Sequence, residues 1–341
     1  MNILLLGGNG LLGHNVLRQL LFQGHNVKLL LRRKTSLDSA AIAGHEGQVS
    51  ILEGSLLDDA TLYSAAQGCD AIVNCAGTTD MSLLRYDDYL PVNRDLCQRL
   101  VKLMERQNIT CLVHTSTANT IGYGTPSHPA DELQPMQPPF SRSYYGLSKR
   151  EGEDILLDAA RQHPEWHLIV VNPGFMIGAF DTKPSSGALL LAGYRKPLMV
   201  APRGGKSFVH VADAAAAIVN ALTLGQHGSR YLLTGQNLTL KEFYRLQAQT
   251  CHYRQCLVTV PNALLAVAGW CGDLLRLCGI RTQLSTRNVR QLTVREYYNN
   301  NAARTQLNMP SSHITQAISD FFAWSSSPRR LTKAKDKLNT R

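Results

Sequence analysis

The sequence predicts an α/β fold built on a parallel sheet, and three observations support this prediction. Short apolar runs of strand length alternate with segments of helical period through the first half of the chain. The first run, 3–6, ends in a glycine-rich turn at 7–13 that leads directly into a helical segment. Of the 341 residues, 44% are hydrophobic, which is enough for a large core and excludes an intrinsically disordered chain.

The predicted elements follow one another regularly up to residue 173. Strands are expected at 3–6, 27–31, 49–52, 71–74, 110–115 and 167–171, separated by helices at 11–23, 58–67, 87–107 and 143–161. The later pattern is irregular, with loops at 178–187 and 196–206, helices at 212–224 and 240–250, a strand at 231–233 and several helices over 261–323. The stretch 260–280 is apolar around most of a helical circumference. We expect it to be buried in the fold, with a subunit interface or an apolar ligand as the alternatives.

Charge and cysteine usage limit the classes of function. The net charge is +10, but half of this excess lies in 329–341, and the rest of the chain shows no basic cluster, so no nucleic-acid partner is expected. The polar, basic stretch 325–341 predicts a disordered tail. Eight cysteines without a C-x-x-C pair indicate buried, reduced thiols. The N-terminus lacks signal-peptide features and every apolar run is too short for a membrane span, which predicts a cytoplasmic protein.

The glycine-rich turn predicts a dinucleotide-binding loop. Gly7, Gly10 and Gly13 satisfy G-x-x-G-x-x-G between a strand and a helix. Glycine permits a tight turn and close backbone approach to a pyrophosphate, and the following helix offers its positive end to that anion. The cofactor contacts expected from this loop are Gly7, Asn9, Gly10, Leu11, Leu12 and Gly13.

The end of the second strand predicts which cofactor is preferred. NAD-binding sites place an acid there to bond the ribose 2′-hydroxyl, whereas this chain has Arg32 followed by two further cations, with no acid nearby. A cationic cluster suits the 2′-phosphate of NADP, so NADP is expected and NAD remains possible. A solvated basic turn is the alternative interpretation.

A second constellation places hydroxyls and an ammonium group near that cofactor. Tyr145 and Lys149 are one helical turn apart at the start of a helix. The preceding strand ends in Thr115, Ser116 and Thr117, which delivers hydroxyls to the carboxyl edge of the sheet. Ligands of open α/β sheets bind at that edge.

Taken together, the chain resembles the extended short-chain dehydrogenase/reductase family, which includes NAD-dependent epimerases and dehydratases. The matching segments are GGNGLLG at 7–13, NCAG at 74–77, PVNRDLC at 91–97, TST at 115–117, YGLSK at 145–149, NPGFMIG at 172–178 and FVHVADAA at 208–215. The resemblance implies a Rossmann doubly wound parallel sheet with a smaller, mostly helical C-terminal lobe. It divides the chain into a cofactor domain over 1–175, completed around 207–233, and a substrate region over 176–324.

The resemblance also implies roles for individual residues. Tyr145 is the acid/base, Lys149 bonds the nicotinamide ribose and lowers the pKa of the phenol, and Thr117 bonds the substrate oxygen, with Ser116 less favoured. Asn93 supports a proton relay. Further cofactor contacts are implied at Leu56, Ala76, Gly77 and Pro173. A homodimer through the helices at 87–107 and 143–161 is implied as well.

Three functions fit these residues. The first is an NAD(P)-dependent oxidoreductase acting on a carbonyl or secondary alcohol of a small molecule, similar to dihydroflavonol reductases and 3β-hydroxysteroid dehydrogenases. The second is a nucleotide-sugar epimerase or dehydratase, and the third is a regulator that has lost catalysis. Basic residues between 183 and 206 would favour a diphosphate substrate.

The pair His163 and His167 is separated by Pro164, which excludes a shared helical metal site.

Overall fold

In the computed structural model, which describes residues 1–183 and 185–326, strands and helices alternate along the chain. The strands are β1 (Asn2–Leu6), β2 (Asn26–Leu31), β3 (Val49–Glu53), β4 (Ala71–Asn74), β5 (Cys111–Thr115), β6 (His167–Pro173), β7 (Phe175–Ile177), β8 (Leu198–Ala201), β9 (Gly205–His210), β10 (Arg230–Leu233), β11 (Gln236–Thr239) and β12 (Cys256–Thr259). The helices are α1 (Leu11–Phe22), α2 (Asp59–Ala66), α3 (Leu96–Gln107), α4 (Tyr144–Gln162), α5 (Gly187–Gly193), α6 (Val211–Leu224), α7 (Leu240–Thr250), α8 (Asn262–Leu277), α9 (Thr286–Gln291), α10 (Asn301–Gln306) and α11 (Ile314–Ser325). The predicted disordered tail, 325–341, begins one residue too early, because Ser325 still belongs to α11. The part of the tail beyond residue 326 lies outside the described residues.

Seven strands form one parallel sheet, which confirms the predicted Rossmann-like α/β fold. Their order is β10-β6-β5-β4-β1-β2-β3, and every neighbouring pair is parallel. The chain reverses its direction of winding between β1 and β4. The loops after these two strands therefore diverge and open a crevice at the carboxyl edge of the sheet.

Both faces of this sheet are covered, as the apolar character of its strands requires. On β1, Ile3 and Leu5 pack with residues of α1 and α6, while Leu4 and Leu6 pack with residues of α3 and α4 on the other face. Successive side chains of a strand point to opposite faces, so a strand buried on both sides reads as a continuous apolar run. The sequence 3–6 is such a run.

Several predicted elements were wrong in detail. The helix expected from residue 87 begins at Leu96 and is preceded by a π-helical turn over Pro91–Asp95, which a short hydrophobic pattern does not distinguish from regular α-helix. The loop expected at 196–206 contains β8, which pairs with β12 more than fifty residues further along the chain. Such short strands depend on distant partners, which a local sequence pattern does not reveal.

The C-terminal lobe also departs from the expected burial. Within α8 only Gly269 and Gly272 are buried, so the expectation that 260–280 is buried in the fold was wrong. All eight cysteines are free, but Cys256, Cys271 and Cys278 are exposed rather than buried. Among the described residues, every helix is too short or too polar to cross a membrane.

Candidate active site

The loop after β1 is shaped by two glycines and left open by a third. Gly7 has a φ of 75°, and a Cβ on it would lie 2.6 Å from the Ala76 backbone nitrogen. A Cβ on Gly13 would lie 2.1 Å from the Gly7 carbonyl oxygen. At Gly10, in contrast, the nearest atom to an added Cβ is 3.5 Å away. Gly7 and Gly13 therefore close the turn, and Gly10 faces free space.

The start of α1 fits an anionic group. Gly10 is the N-cap, and neither a side-chain cap nor an acidic residue occupies the first turn within the described structure. The unpaired N–H groups and the helix dipole make this end electropositive. Asn9 continues the site toward β2, because its Nδ2 donates to Ser36 Oγ over 2.9 Å. The site therefore offers backbone donors where a pyrophosphate would bind.

The segment after β2 carries the predicted specificity residue. Arg32 is exposed and directly follows β2. Ser36 Oγ donates to the Arg33 carbonyl over 2.6 Å, so this basic turn adjoins the glycine loop through Asn9. The expectation that no acid lies nearby was wrong, because the Glu53 carboxylate of β3 accepts from the Lys34 backbone N–H. Glu53 is nineteen residues from Lys34 in the sequence, so the local sequence did not show this contact.

The other predicted cofactor residues also lie at strand ends or in the loops that follow them. The Ala76 N–H donates to Asn74 Oδ1 over 3.0 Å after β4, and Pro173 closes β6. Leu56 packs with core residues of the α2 side, and the Leu12 side chain belongs to the core around α1. For Leu12, only the backbone is therefore placed to face a cofactor.

Lys149 is held at the centre of the crevice. Its side chain is buried, and Nζ donates to the Thr115 carbonyl over 2.8 Å. A Cβ on Gly77 would lie 3.2 Å from this nitrogen, so a side chain at this position would crowd the ammonium group. Helix α4 begins one turn earlier because Ser143 Oγ accepts from the Gly146 N–H. This cap fixes Tyr145 and Lys149 on the same helical face.

The Tyr145 hydroxyl is hydrogen-bonded to the Thr117 side chain in a desolvated environment. Burial raises the pKa of Tyr145, and the hydrogen bond from Thr117 acts in the opposite direction. The expected lowering by Lys149 is therefore not found in the protein alone. Burial also lowers the pKa of Lys149, opposed by the nearby Cys97 and Cys75 thiols and by Glu153. The geometry brings the predicted acid and its two partners together, with the phenol protonated.

Asn93 occupies a different position from the hydroxyl pair. Its Oδ1 accepts from the Thr78 N–H over 2.8 Å, and its Nδ2 donates to Ser148 Oγ over 2.9 Å. A Cβ on Gly152 would lie 2.0 Å from the Asn93 carbonyl oxygen, so glycine is required for α4 to approach the π turn. Asn93 thus ties the loop after β4 to α4.

A buried polar cluster beneath Thr117 was not predicted from the sequence. Glu153 is fully buried and forms an ion pair with Arg230, with 3.2 Å between Glu153 Oε1 and Arg230 Nη1. Asn172 Nδ2 lies 2.9 Å from Glu153 Oε2 and 3.2 Å from the Thr117 carbonyl oxygen. The available signal was spacing, because residues 145, 149 and 153 follow the i, i+4 rule of one helical face. Glu153 therefore helps to fix the strand end that carries Thr117.

His114 is a hydrogen-bonded core histidine. It is fully buried on β5, and its Nδ1 lies 3.0 Å from Asn74 Nδ2. Burial, together with the nearby Lys149 charge, lowers the pKa of His114 well below 6.5, so the ring is neutral. No cluster of three His, Cys, Asp or Glu side chains in the described part of the chain is arranged to hold a metal.

A cavity of about 750 Å³ lies beside α4, between α8, α9 and the loop before α4. Its wall includes Tyr144 and Arg287, whose guanidinium carbon lies 3.7 Å from the centre of the Tyr144 ring. Arg276 of α8 also lines it but donates to the Leu83 and Thr282 carbonyls. Tyr145 itself is not part of this wall. The cavity therefore borders the catalytic helix rather than containing the reacting group.

The family of this chain is evident from its similarity to known proteins. The sequence profile of the NAD dependent epimerase/dehydratase family matches residues 3–233. The chain belongs to this family. It is thus an enzyme of the extended short-chain dehydrogenase/reductase group, whose members are NAD-dependent oxidoreductases, epimerases and dehydratases.

Members of this family resemble the chain over nearly its whole length. A putative dihydroflavonol 4-reductase of Synechocystis sp. is 26% identical over 326 residues, covering 93% of this chain and 92% of the relative. Sterol demethylase protein B of Methylococcus capsulatus is 26% identical over 329 residues, covering 95% and 98%. The fold matches dTDP-glucose 4,6-dehydratase of Bacillus anthracis, crystallised with NAD, with a TM-score of 0.72, 18% identity and coverage of 96% and 97%.

Proposed function

We propose that the protein reduces a ketone of an apolar small molecule to a secondary alcohol with NADPH. The observation that carries this proposal is the Tyr145 hydroxyl, hydrogen-bonded to Thr117 in a buried site that raises the pKa of the phenol. A phenol that keeps its proton at neutral pH is suited to donate it to an oxygen that gains negative charge.

The residues at the sheet edge fit a dinucleotide. The open N-terminus of α1 at Gly10 suits the pyrophosphate, and the exposed guanidinium of Arg32 suits a ribose 2′-phosphate. Lys149 Nζ, a donor at the centre of the crevice, suits the hydroxyls of the second ribose. When bound, the nicotinamide cofactor supplies the hydride. The preference for NADP over NAD is part of the proposal.

Each residue of the site then has a defined role in the proposed reaction. Tyr145 donates the proton, Thr117 hydrogen-bonds the same substrate oxygen, and Lys149 holds the ribose and favours the anionic phenol after proton transfer. Asn93 acts as a positioning residue, since its side-chain bonds join the loop after β4 to α4. Because these groups are fixed before the substrate binds, little reorganisation is needed during the reaction.

A nucleotide-sugar epimerase on the same scaffold is the second candidate. It requires cations for a diphosphate, but two of the four arginines that line the cavity, Arg276 and Arg287, already bind backbone carbonyls and an aromatic ring. Lys206 forms an ion pair with the buried Glu296. The two relatives that match the full length are named as a reductase and a sterol-processing protein. These observations favour an apolar ketone.

Two further properties belong to the proposal. The family resemblance implies a homodimer through α3 and α4, which sedimentation velocity tests directly. Eight free cysteines suit a reducing, cytoplasmic compartment, which fractionation of the native host tests.

The reaction is tested with NADPH carrying deuterium on the transferred position. A panel of apolar ketones is assayed beside UDP- and dTDP-sugars. A reductase oxidises the cofactor stoichiometrically and places deuterium on the carbinol carbon of the product. Conversion of a sugar nucleotide without net cofactor oxidation would contradict the proposed reaction and support the epimerase.

The cofactor preference is tested with Arg32→Asp. The loss of one charge-assisted contact, typically about 1–3 kcal/mol, lowers NADPH affinity by roughly 5- to 150-fold. The matched control is Arg304→Asp on α10, which is also exposed. Fluorescence titration with both cofactors decides the point, and equal affinities that Arg32→Asp leaves unchanged would contradict it.

A further inference from the structure

Helix α8 presents an uncharged apolar face to solvent. Its two charged residues do not belong to that face, because Asp273 accepts from the Thr286 N–H and Arg276 donates to the Leu83 carbonyl. The large exposed side chains are Leu264, Val267, Trp270, Leu274, Leu275 and Leu277. Trp270 is 64% exposed, which is unusual for so large an apolar ring. A helix with this pattern requires a covering surface.

The two-stranded sheet formed by β8 and β12 also exposes apolar side chains next to α8. Strands β8 and β12 are paired in register, with Val200 opposite Val258 and Leu198 opposite Cys256. All four residues are exposed and therefore share one face of the ribbon. Helix α8 begins three residues after β12, so the apolar ribbon leads directly into the apolar helix.

Cations surround this region and acids are nearly absent. Lys196 and Arg254 are both exposed and lie two residues before the paired Leu198 and Cys256, at the same end of the ribbon. Arg281 is exposed beyond the end of α8. Residues 194–203 and 251–290 together hold eight Lys or Arg and one acid. The segments lie far apart in sequence, so their common charge becomes visible only when β8 and β12 pair.

The charge identifies the covering surface. A second copy of the chain docked face to face would bring like charges together, which opposes association. A bilayer with anionic lipids complements the cations and accepts the apolar side chains. An interfacial helix typically has Trp and Leu on one side and flanking Lys or Arg, and α8 is too short to cross a membrane.

We propose that the exposed faces of α8 and of the β8–β12 ribbon dock the protein on an anionic membrane surface. Asp273 and Arg276, which lie outside the apolar face, line the cavity beside α4 together with Leu277 at the end of the helix. This arrangement lets an apolar ketone pass from the lipid to the enzyme without crossing water, an inference that rests on the proposed function. Docking itself is measured by binding, so its failure is distinguishable from failure of the proposed reaction.

The test is co-sedimentation of the full chain with phosphatidylcholine vesicles, with and without phosphatidylglycerol. Binding is expected only to the anionic vesicles, with a blue shift of Trp emission because Trp270 enters an apolar environment. The double substitution Leu264→Gln and Trp270→Gln removes two large apolar side chains and should weaken binding at least ~10-fold. The matched control is Phe22→Gln with Leu133→Gln, two large apolar residues outside this region that are even more exposed, which should bind like the unaltered chain.

Other outcomes overturn the proposal. If the Leu264 and Trp270 variant binds as well as the unaltered chain, the basic residues beyond 328, present in every variant, account for the binding. If neither vesicle binds, the face is not a membrane surface. A dimer in sedimentation velocity that this variant alone dissociates would identify a second copy as the covering partner.

Discussion

Strand β1 and helix α8 have similar apolar sequences and opposite surroundings. Residues Ile3 to Leu6 are completely buried between helices on both faces of the sheet, whereas α8 buries only two glycines. Both segments therefore need cover, but the fold supplies it for only one of them. An apolar sequence indicates that a segment needs to be buried. It does not indicate whether the same chain or another surface buries it.

The chemistry divides along the same boundary. Tyr145, Lys149 and Thr117 lie at the carboxyl edge of the sheet, held by capping, a buried lysine contact and the Glu153 cluster. The α8 region contributes a cavity wall and an exposed apolar face. We infer that the sheet determines the reaction and that the C-terminal lobe determines which molecules and surfaces the enzyme meets.

The largest contrast is expected for one substitution made in both regions. Leu5→Ala removes a completely buried side chain and should lower the free energy of unfolding by about 2–5 kcal/mol. Leu264→Ala on α8 should change it by less than about 0.5 kcal/mol. Urea unfolding measures both variants, and equal losses would show that the two regions are covered alike.

A smaller contrast is expected inside the glycine loop. Gly13→Ala forces a Cβ to within 2.1 Å of the Gly7 carbonyl oxygen and should destabilise the fold by about 1–3 kcal/mol. Gly10→Ala meets only an ordinary contact with the Gly7 carbonyl oxygen at 3.5 Å, so it should destabilise the fold by less than Gly13→Ala does while weakening cofactor affinity. Thermal unfolding and cofactor titration separate the two effects. A stable Gly13→Ala protein would refute the close packing.

The smallest contrast concerns pH. Unfolding exposes His114, which then takes up a proton near its ordinary pKa of about 6.5, whereas burial lowers the pKa of the folded form. Its contribution to stability is therefore complete above pH 6.5 and is lost as the pH falls below that value, by at most about 1.4 kcal/mol per pH unit.

Substituting His114 with Gln should reduce the slope of unfolding free energy between about pH 6.5 and 5. The slope, rather than the absolute stability, is compared, because the substitution also alters packing. The exposed His128, substituted in the same way, serves as the control. Identical slopes for all three proteins would mean that the buried histidine accepts a proton in the folded state.

The sheet and its site residues were accessible from sequence because their signals are local. The glycine loop, the strand end at Thr117 and the Tyr145–Lys149 spacing each lie within a few consecutive residues. The Glu53 contact, the β8–β12 pairing and the Glu153–Arg230 ion pair join distant segments and needed the structure. The exposure of α8 was missed for another reason, because an apolar pattern does not distinguish a core from an unpartnered surface.

The proposed chemistry is tested most directly by Tyr145→Phe, measured on an identified ketone with NADPH. The substitution keeps the ring and removes the hydroxyl that donates the proton. We expect turnover to fall by at least ~10²-fold while cofactor affinity stays unchanged. Tyr63→Phe on α2, outside the site, is the control and should retain full turnover. Turnover of Tyr145→Phe at the rate of the unaltered enzyme would contradict the assignment of this hydroxyl as the general acid.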